Sequence, residues 1–539
     1  MSSQRLSGRS ADTQQFEYNT LQGNNIRTIT ILPLENGVVR CTIMTVDLTS
    51  NPMYKALSYT WGDPRPKGLQ TKEQAIVEFP IYIDGKTKTV TKNLYDALTR
   101  LASGVLVLEA PVWIDAICIN QGDLEEKNLQ VSMMDEIYKN ANMVVAWLGE
   151  ADGFTEAGLQ AIERLASINA GLEPADHAEH QQRDIRSFGL ADRQWQGLVA
   201  VFCRAWFTRV WIIQEVTLAR KMNVIIGTHI VPEDIMRSAA TYLARSGLWF
   251  KLTRYVLLFS RHPNDLDSND VPPLGAVIRS LSGLDAGIRM GGFHPKLVTL
   301  FGRGNEASDE RDYVYGMAGL VKLAQASHRE QSEALPPPRY DADVEEVIVD
   351  WAKWMVKNMD NYMLFSHVGD ETHRRLKTLP SWVPDITTSL MPNTFIYLDQ
   401  HRQWHPSGED VAGKLSPVDG SASVQTRAPL FDTVTAVATS FGVMNDEHDY
   451  DPVLELIESL RGVTEPYRES SEALACTLTA GITHSHAATT LCAILEAWVL
   501  VKADHVISTG RALLDATRRS KWSGLTLLAI RFAGHEDSS

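Results

Sequence analysis

Two carboxylates in this 539-residue chain stand where a charge is costly. Asp115 lies inside the apolar run Val112-Trp-Ile-Asp-Ala-Ile-Cys-Ile119, and Glu215 inside Val210-Trp-Ile-Ile-Gln-Glu-Val216. An ionised carboxylate in apolar surroundings loses its hydration and needs a cation, a hydrogen-bond donor or a ligand in exchange. Each therefore has two readings. Asp115 is either an active carboxylate or a structural acid bonded to backbone or to an arginine. Glu215 is either functional or the anion of a salt bridge to Arg204, Arg209 or Arg220. Asn120 and Gln121 end the first run; they either bind polar groups of a ligand or cap a helix that begins near Asp123. Trp61, Trp113, Trp147, Trp206 and Trp211 crowd the same half of the chain. Tryptophans of this kind belong to a core, with Trp61 or Trp206 as the alternative lining of a pocket.

Other chemistries lack their signatures. No Gly-x-x-x-x-Gly-Lys-Ser/Thr loop is present. Gly302-Arg-Gly-Asn-Glu-Ala307 fits Gly-x-Gly-x-x-Ala, and Leu297 to Phe301 before it could form a strand. No second strand with a ribose-binding acid follows at the required distance, so the stretch reads as a flexible turn. His177-Ala-Glu-His180 has the wrong order for a zinc helix, and His484-Ser-His486 has no acid beside it, so no metal site is expected. There is no Gly-x-Ser-x-Gly nucleophile elbow.

The elements that would carry the two acids read as an α/β fold. Short β-type runs at Ile26 to Leu32 and Val38 to Ile43 suggest a hairpin across Glu35-Asn-Gly37, and Ile81 to Val90 suggests a second. Lys55 to Asp63 is a strand running into a Gly turn. Asn93 can cap a helix through Leu101. Val112 to Ile119 reads as a central parallel strand, with Asp123 and Glu126 as a capping-box-like helix start and Met143 to Gly149 as the next strand. That is a βαβ unit. The segment 172–193 is polar and reads as an insertion or a loose helix. A helix capped by Thr208 leads to the strand Met222 to Gly227. The expected architecture is a doubly wound parallel sheet over about residues 25 to 230. Residues 1–24 read as a disordered tail, 236–330 as a helical extension with a helix start at Asp309, and 331–539 as a C-terminal α+β region. In that last region a linker over 331–339 precedes an amphipathic helix from Val344 to Met359.

Composition narrows the class. The formal net charge is −15, which gives no electrostatic reason to bind nucleic acid or an anionic membrane. Met1 to Gln15 has no apolar core and is not a secretory signal. The longest apolar stretch, Ala487 to Val501, is too short to span a bilayer and contains Glu496. Five cysteines, odd in number and widely spaced, suggest reduced thiols in the cytosol or nucleus, and the cytoplasm is the expected location.

Taken in order, several segments resemble the fungal heterokaryon-incompatibility (HET) domain. They are Tyr54-Lys-Ala-Leu-Ser-Tyr-Thr-Trp-Gly-Asp63, Asn93-Leu-Tyr-Asp-Ala-Leu98, Trp113-Ile-Asp-Ala-Ile-Cys-Ile-Asn-Gln121, Glu126 to Tyr138, Val145-Ala-Trp-Leu-Gly149 and Trp206-Phe-Thr-Arg-Val-Trp-Ile-Ile-Gln-Glu215. Arg311-Asp-Tyr-Val-Tyr315 and Leu379-Pro-Ser-Trp-Val-Pro-Asp385 resemble segments found downstream in long HET proteins. The resemblance covers residues 54 to 219 firmly and reaches to about 390. Ala205 and Ile386 depart from it, standing where a proline and a tryptophan are common. The resemblance to the usual C-terminal part begins at Ser508 and breaks off within some twenty residues.

The resemblance implies a cytoplasmic effector of non-self recognition and regulated cell death, with protein partners such as a separate incompatibility regulator, and with self-association. It also implies a distant relation to Toll/interleukin-1-receptor (TIR) domains and their flavodoxin-like sheet. Many TIR domains cleave NAD with a helical glutamate that follows a Trp-containing turn. Trp206 and Glu215 keep that order with looser spacing, which makes Glu215 the catalytic candidate and NAD a substrate rather than a resident cofactor. Trp61, Gly62, Asp63 and Asp115 become pocket candidates, as do Asn120, Gln121, Trp206, Arg209 and Trp211. A non-catalytic docking module, or a family member serving another pathway, are the competing implications.

Overall fold

A computed structural model describes residues 14–70, 78–106, 109–172, 185–252, 302–328, 333–358 and 374–388, with positions 255, 259, 364, 367 and 368 and the backbone of 415–417 and 424–426. All belong to one compact unit, 1–392 with 414–426. The features expected at His177 to His180, at Leu297 to Phe301 and in the chain beyond 426 lie outside the described residues.

The chain forms a nine-stranded mixed sheet of order β5-β4-β2-β1-β6-β3-β7-β8-β9. Its strands are β1 Asn25–Ile31, β2 Arg40–Asp47, β3 Lys55–Tyr59, β4 Glu78–Ile83, β5 Lys86–Thr91, β6 Val112–Trp113, β7 Met143–Trp147, β8 Met222–Ile226 and β9 His229–Pro232. The expected doubly wound parallel sheet is corrected to a mixed one: β6, β3, β7 and β8 run parallel to one another, and β2 runs parallel to β4. β1 with β2, β4 with β5 and β8 with β9 are antiparallel hairpins. Both expected hairpin turns are present, and for a physical reason. Asn36 and Gly37 in the first, and Asp84 and Gly85 in the second, all have positive φ, the backbone that a tight two-residue hairpin turn requires.

In the parallel part, the strand met first in the chain, β3, lies between the second, β6, and the third, β7. Chain direction across the sheet therefore reverses at β3. In open α/β sheets the crevice at such a reversal, beyond the carboxyl ends of the strands, is where ligands bind.

The central strand is much shorter than its apolar run suggests. β6 ends at Trp113, and Asp115–Cys118 is a helical turn, α2. Asp115 thus sits at the mouth of the strand rather than within it. Periodicity cannot separate a buried strand from a buried helical turn, since both are apolar throughout. The crossover to β7 runs through α3 Leu124–Ser132 and α4 Met134–Asn140. Asp123 caps α3 through the Glu126 amide at 3.1 Å. The reciprocal half of a capping box is missing, because the Glu126 side chain accepts instead from the Asn120 amide at 2.7 Å and from Arg27.

α1 Lys92–Ala102 starts one residue after Thr91, so Asn93 is not its cap. Asn93 is buried and joins two strands instead: it donates to Thr60 O at 2.7 Å and accepts from the Trp147 indole at 2.8 Å. Between β7 and β8 come α5 Thr155–Ala170, α6 Asp192–Phe202 and α7 Trp211–Leu218. α7 begins after Val210, and Thr208 donates to Ala205 O rather than capping it. α8 Glu233–Arg245 and α9 Leu248–Lys251 follow β9. The short α10 Asp312–Tyr315, α11 Ala318–His328 and α12 Val344–Asn358 come next, with a backbone pair at Leu415–Pro417 and Val424–Thr426.

Residues 14–24 of the expected tail carry specific bonds. Phe16 N donates to Thr87 O at 2.8 Å, and Tyr18 to Ile117 O at 2.9 Å. Arg27 then ties this segment to the tip of β6. Its guanidinium donates to Cys118 O at 2.8 Å and forms a bidentate pair with Glu126, both side chains almost fully buried. Removing one partner of a buried pair leaves an uncompensated charge. Arg27→Met should lower unfolding stability by about 3–5 kcal/mol in chemical denaturation of the full chain; a loss below about 1 kcal/mol would show that the pair does not hold the strand tip.

Candidate functional site

Ser58 is the inward-facing hydroxyl near the carboxyl end of β3, and Glu215 meets it from α7. Glu215 is 1% exposed. Ser58 Oγ donates to its carboxylate and in turn accepts from the Trp206 indole at 2.7 Å. Tyr138 of α4 supplies a further hydrogen bond. Arg209 Nη1 stands 3.7 Å from Glu215 Oε1, within ion-pair range but too long for a hydrogen bond, and this nitrogen has no hydrogen-bond partner.

Asp115 is a second acid that feels the charge of the same guanidinium. Its Oδ2 accepts from the Trp61 indole at 2.9 Å and its Oδ1 from the Ala116 amide at 2.7 Å, with the Tyr59 hydroxyl as a further donor. Burial pushes both carboxyls above the usual carboxylate range, and the Arg209 charge opposes this in each. Burial also works against the charge of Arg209, yet Glu215 and Asp115 outweigh it and hold the guanidinium above its ordinary range. One cation between two acids leaves an excess negative charge in a poorly solvated place, so one acid keeps its proton to a higher pH than an exposed carboxylate would.

The cluster opens toward solvent only at Trp61, whose ring is 42% exposed, while Arg209 is 17% exposed. The same ring lines a cleft of about 150 Å³ with Asp63, Arg65, Asn93, Glu150 and Asp152. This cleft occupies the crevice beyond β3 and β7, where the strand order reverses. Its walls are tied by ion pairs: Arg65 with Asp63 at 2.6 Å, Arg204 with Asp152 at 2.8 Å and Arg100 with Glu150 at 2.7 Å. Gly149 makes the closure of the cleft possible. It ends β7 with φ +97°, and a Cβ there would lie 2.4 Å from the Pro64 ring.

Of the residues singled out from the sequence, Glu215, Asp115, Arg209, Trp61 and Trp206 thus meet in one network, and Gly62 and Asp63 line the adjoining cleft. Asn120 and Gln121 do not join them. Asn120 receives the Gly122 amide at 3.3 Å and Gln121 reaches Asp115 O at 3.3 Å, so both serve the turn into α3. Trp211 faces the other way and bonds Asp312. Of the three arginines considered for Glu215, Arg209 is the partner. Arg204 serves Asp152 and the Leu148 carbonyl, and Arg220 reaches Asn140. Ser58, Tyr59, Tyr138 and Asn93 were not expected, since a lone hydroxyl or amide in an apolar run carries no spacing signal. Among the described residues no group of acids, histidines and cysteines could hold a metal ion.

Residues 54–215 match the family described as "Heterokaryon incompatibility protein (HET)". This stretch is a HET domain. The Neurospora crassa protein "Heterokaryon incompatibility protein 6, OR allele" is similar to the chain at 25% identity over 396 residues, which cover 64% of this chain and 55% of that relative. The chain thus spans about half the length of this relative. No solved structure matches. The matched stretch begins at Tyr54, just before β3, and ends at Glu215 of the cluster. Among the described residues no helix is long and apolar enough to cross a membrane.

One acid at the rim of the domain titrates in an accessible range. Asp312 is held at about 6 by burial, against hydrogen bonds from Tyr340 and Trp211 that favour its charge. The folded state therefore binds this proton more tightly than the unfolded chain does, and stability falls as pH rises from about 4 to about 6. Asp312→Asn should flatten that limb of a pH-dependent denaturation curve. An unchanged limb would assign the dependence to other groups.

Proposed function

We propose that the HET domain is the acting part of an incompatibility effector that promotes cell death, and that its chemistry is NAD cleavage centred on Glu215. One observation carries the reading: Glu215 pairs with a guanidinium whose charge Asp115 also feels, and Asp115 bonds an exposed tryptophan next to the crevice at the strand reversal. The order of the four central parallel strands, numbered by appearance as second, first, third and fourth, agrees with a flavodoxin-like order and supports the TIR analogy within an otherwise mixed sheet. Breaking a nicotinamide-ribose bond develops positive charge on the sugar. A desolvated carboxylate stabilises that charge more strongly than a hydrated one. Two acids of unlike surroundings, one buried and one at the opening, also suit a division into charge stabiliser and proton donor. The indole of Trp61 offers a flat face to a planar base. For Glu215 to reach a ribose, Trp61 must give way, since it closes the path through its bond to Asp115.

A second reading has its own support. Every contact of Glu215 comes from within the domain, from Ser58, Tyr138 and Arg209. On that reading the cluster is a structural lock, and the domain acts by docking partners or a second copy of itself.

The full chain carrying Glu215→Gln, expressed in fungal cells, separates the two. The NAD-cleaving reading expects at least about a hundredfold loss of NAD consumption, as for loss of a transition-state charge partner, with death abolished and the melting temperature kept. Full killing with unchanged cellular NAD would discard the enzymatic reading. A collapsed melting temperature would favour the structural lock.

A further inference from the structure

The Arg209 loop is held from outside the matched HET stretch. Residues 302–306, the expected flexible turn, lie against it as a short strand-like brace. Glu306 N donates to Thr208 O at 2.5 Å and Val210 N to Glu306 O at 2.9 Å, so the main chain is pinned on both sides of Arg209. Asn305 adds a side-chain bond, Nδ2 to Arg209 O at 3.2 Å, and is itself buried. Tyr313 of α10 steadies Asn305 by donating to its carbonyl at 2.8 Å. Behind these lies Arg303, 3% exposed, which donates to His367 O at 3.1 Å and Asp385 O at 3.0 Å. The two downstream segments that resemble HET-protein sequence, Arg311 to Tyr315 and Leu379 to Asp385, thus end on one loop.

A loop could be held this way for stability alone. Two features argue for placement of the guanidinium. The bonds from Asn305 and Glu306 fall on Thr208, Arg209 and Val210 and nowhere else on that loop. Arg209, moreover, makes no hydrogen bond through Nη1, so its position beside Glu215 depends on its backbone rather than on its own tip.

We propose that Asn305, backed by Tyr313 and Arg303, is a positioning residue that sets the Arg209 guanidinium beside Glu215, where its charge also reaches Asp115. It makes residues beyond 300 part of the functional unit. The consequence for catalysis rests on the NAD-cleaving reading, whereas the placement itself does not.

The test uses the full chain with Asn305→Ala, and Arg209→Gln as the reference. Hydrogen exchange at the Val210 amide, read in peptides covering 205–213, should rise about fivefold in Asn305→Ala, the worth of one hydrogen bond, with β3 and β7 unchanged. The pH profile of NAD consumption should shift its acid limb upward, in the direction seen with Arg209→Gln, because Glu215 and Asp115 then lose the cation that favours their charge. A merely structural role would lower activity without moving that limb. Tyr313→Phe, which removes one hydroxyl, should give the same pattern more weakly and serves if Asn305→Ala does not fold. Unchanged exchange at Val210 in both variants overturns the proposal, as does an unmoved acid limb. If exchange rises while the wild-type chain consumes no NAD, the placement stands and the NAD reading falls.

Discussion

One largely buried cation set against a buried glutamate and an aspartate at the strand mouth is the constraint around which this domain is arranged. Arg209, Glu215 and Asp115 come from a loop, a helix and a strand mouth, and none of the three is tolerable in the core without the others. Their surroundings follow from that need. Ser58 must be a hydroxyl rather than the valine expected in a buried strand, because Glu215 needs a donor there. Trp206 must present its indole N–H inward to satisfy Ser58. Trp61 must remain at the surface with its ring turned to Asp115. An apolar core would be satisfied by volume alone; this one also has to satisfy donors and acceptors one by one, which restricts the residues it accepts far more.

The same requirement separates two neighbouring regions that the sequence runs together. The cleft beyond β3 and β7 has walls whose charges are paired at hydrogen-bond distance, whereas in the cluster under Trp61 the guanidinium and Glu215 stand 3.7 Å apart. A site whose polar groups are all satisfied internally has nothing left for a ligand. The looser Arg209–Glu215 pair, 3.7 Å apart, sets this cluster apart from Arg27 with Glu126, where both acceptors are engaged at hydrogen-bond distance. Trp61 belongs to both regions and is the one side chain through which occupancy of the cleft could be felt by the buried acids.

Much of this was legible in the residues. Glu215 and Asp115 declared themselves by lying in apolar runs, and the hairpin turns by Asn-Gly and Asp-Gly. The strand β6 misled because its run of apolar residues continues through α2, and a buried helical turn has the same composition as a buried strand. Asn93 misled because its amide suits a cap as well as it suits the gap between Thr60 and Trp147. The mixed character of the sheet was hidden because hairpin strands and parallel strands share their β-branched residues, and only pairing tells them apart. The brace at 302–306 was read as a loose turn from its glycines. What fixes it are contacts with residues nearly a hundred positions away, and no local pattern encodes those.

The contact between Ser58 and Glu215 joins residues 157 positions apart, and Arg303 reaches a further 82 along the chain to Asp385. Such bonds cannot form until the intervening crossovers have folded, so the charge cluster must close late. During synthesis the first strands and α1 are complete long before α7 exists to supply Glu215. Until then β3 carries an unanswered hydroxyl and an exposed apolar face, a state open to wrong partners. Whatever activity the cluster has is therefore withheld from the nascent chain, and a polypeptide interrupted before Glu215 has no means of assembling it.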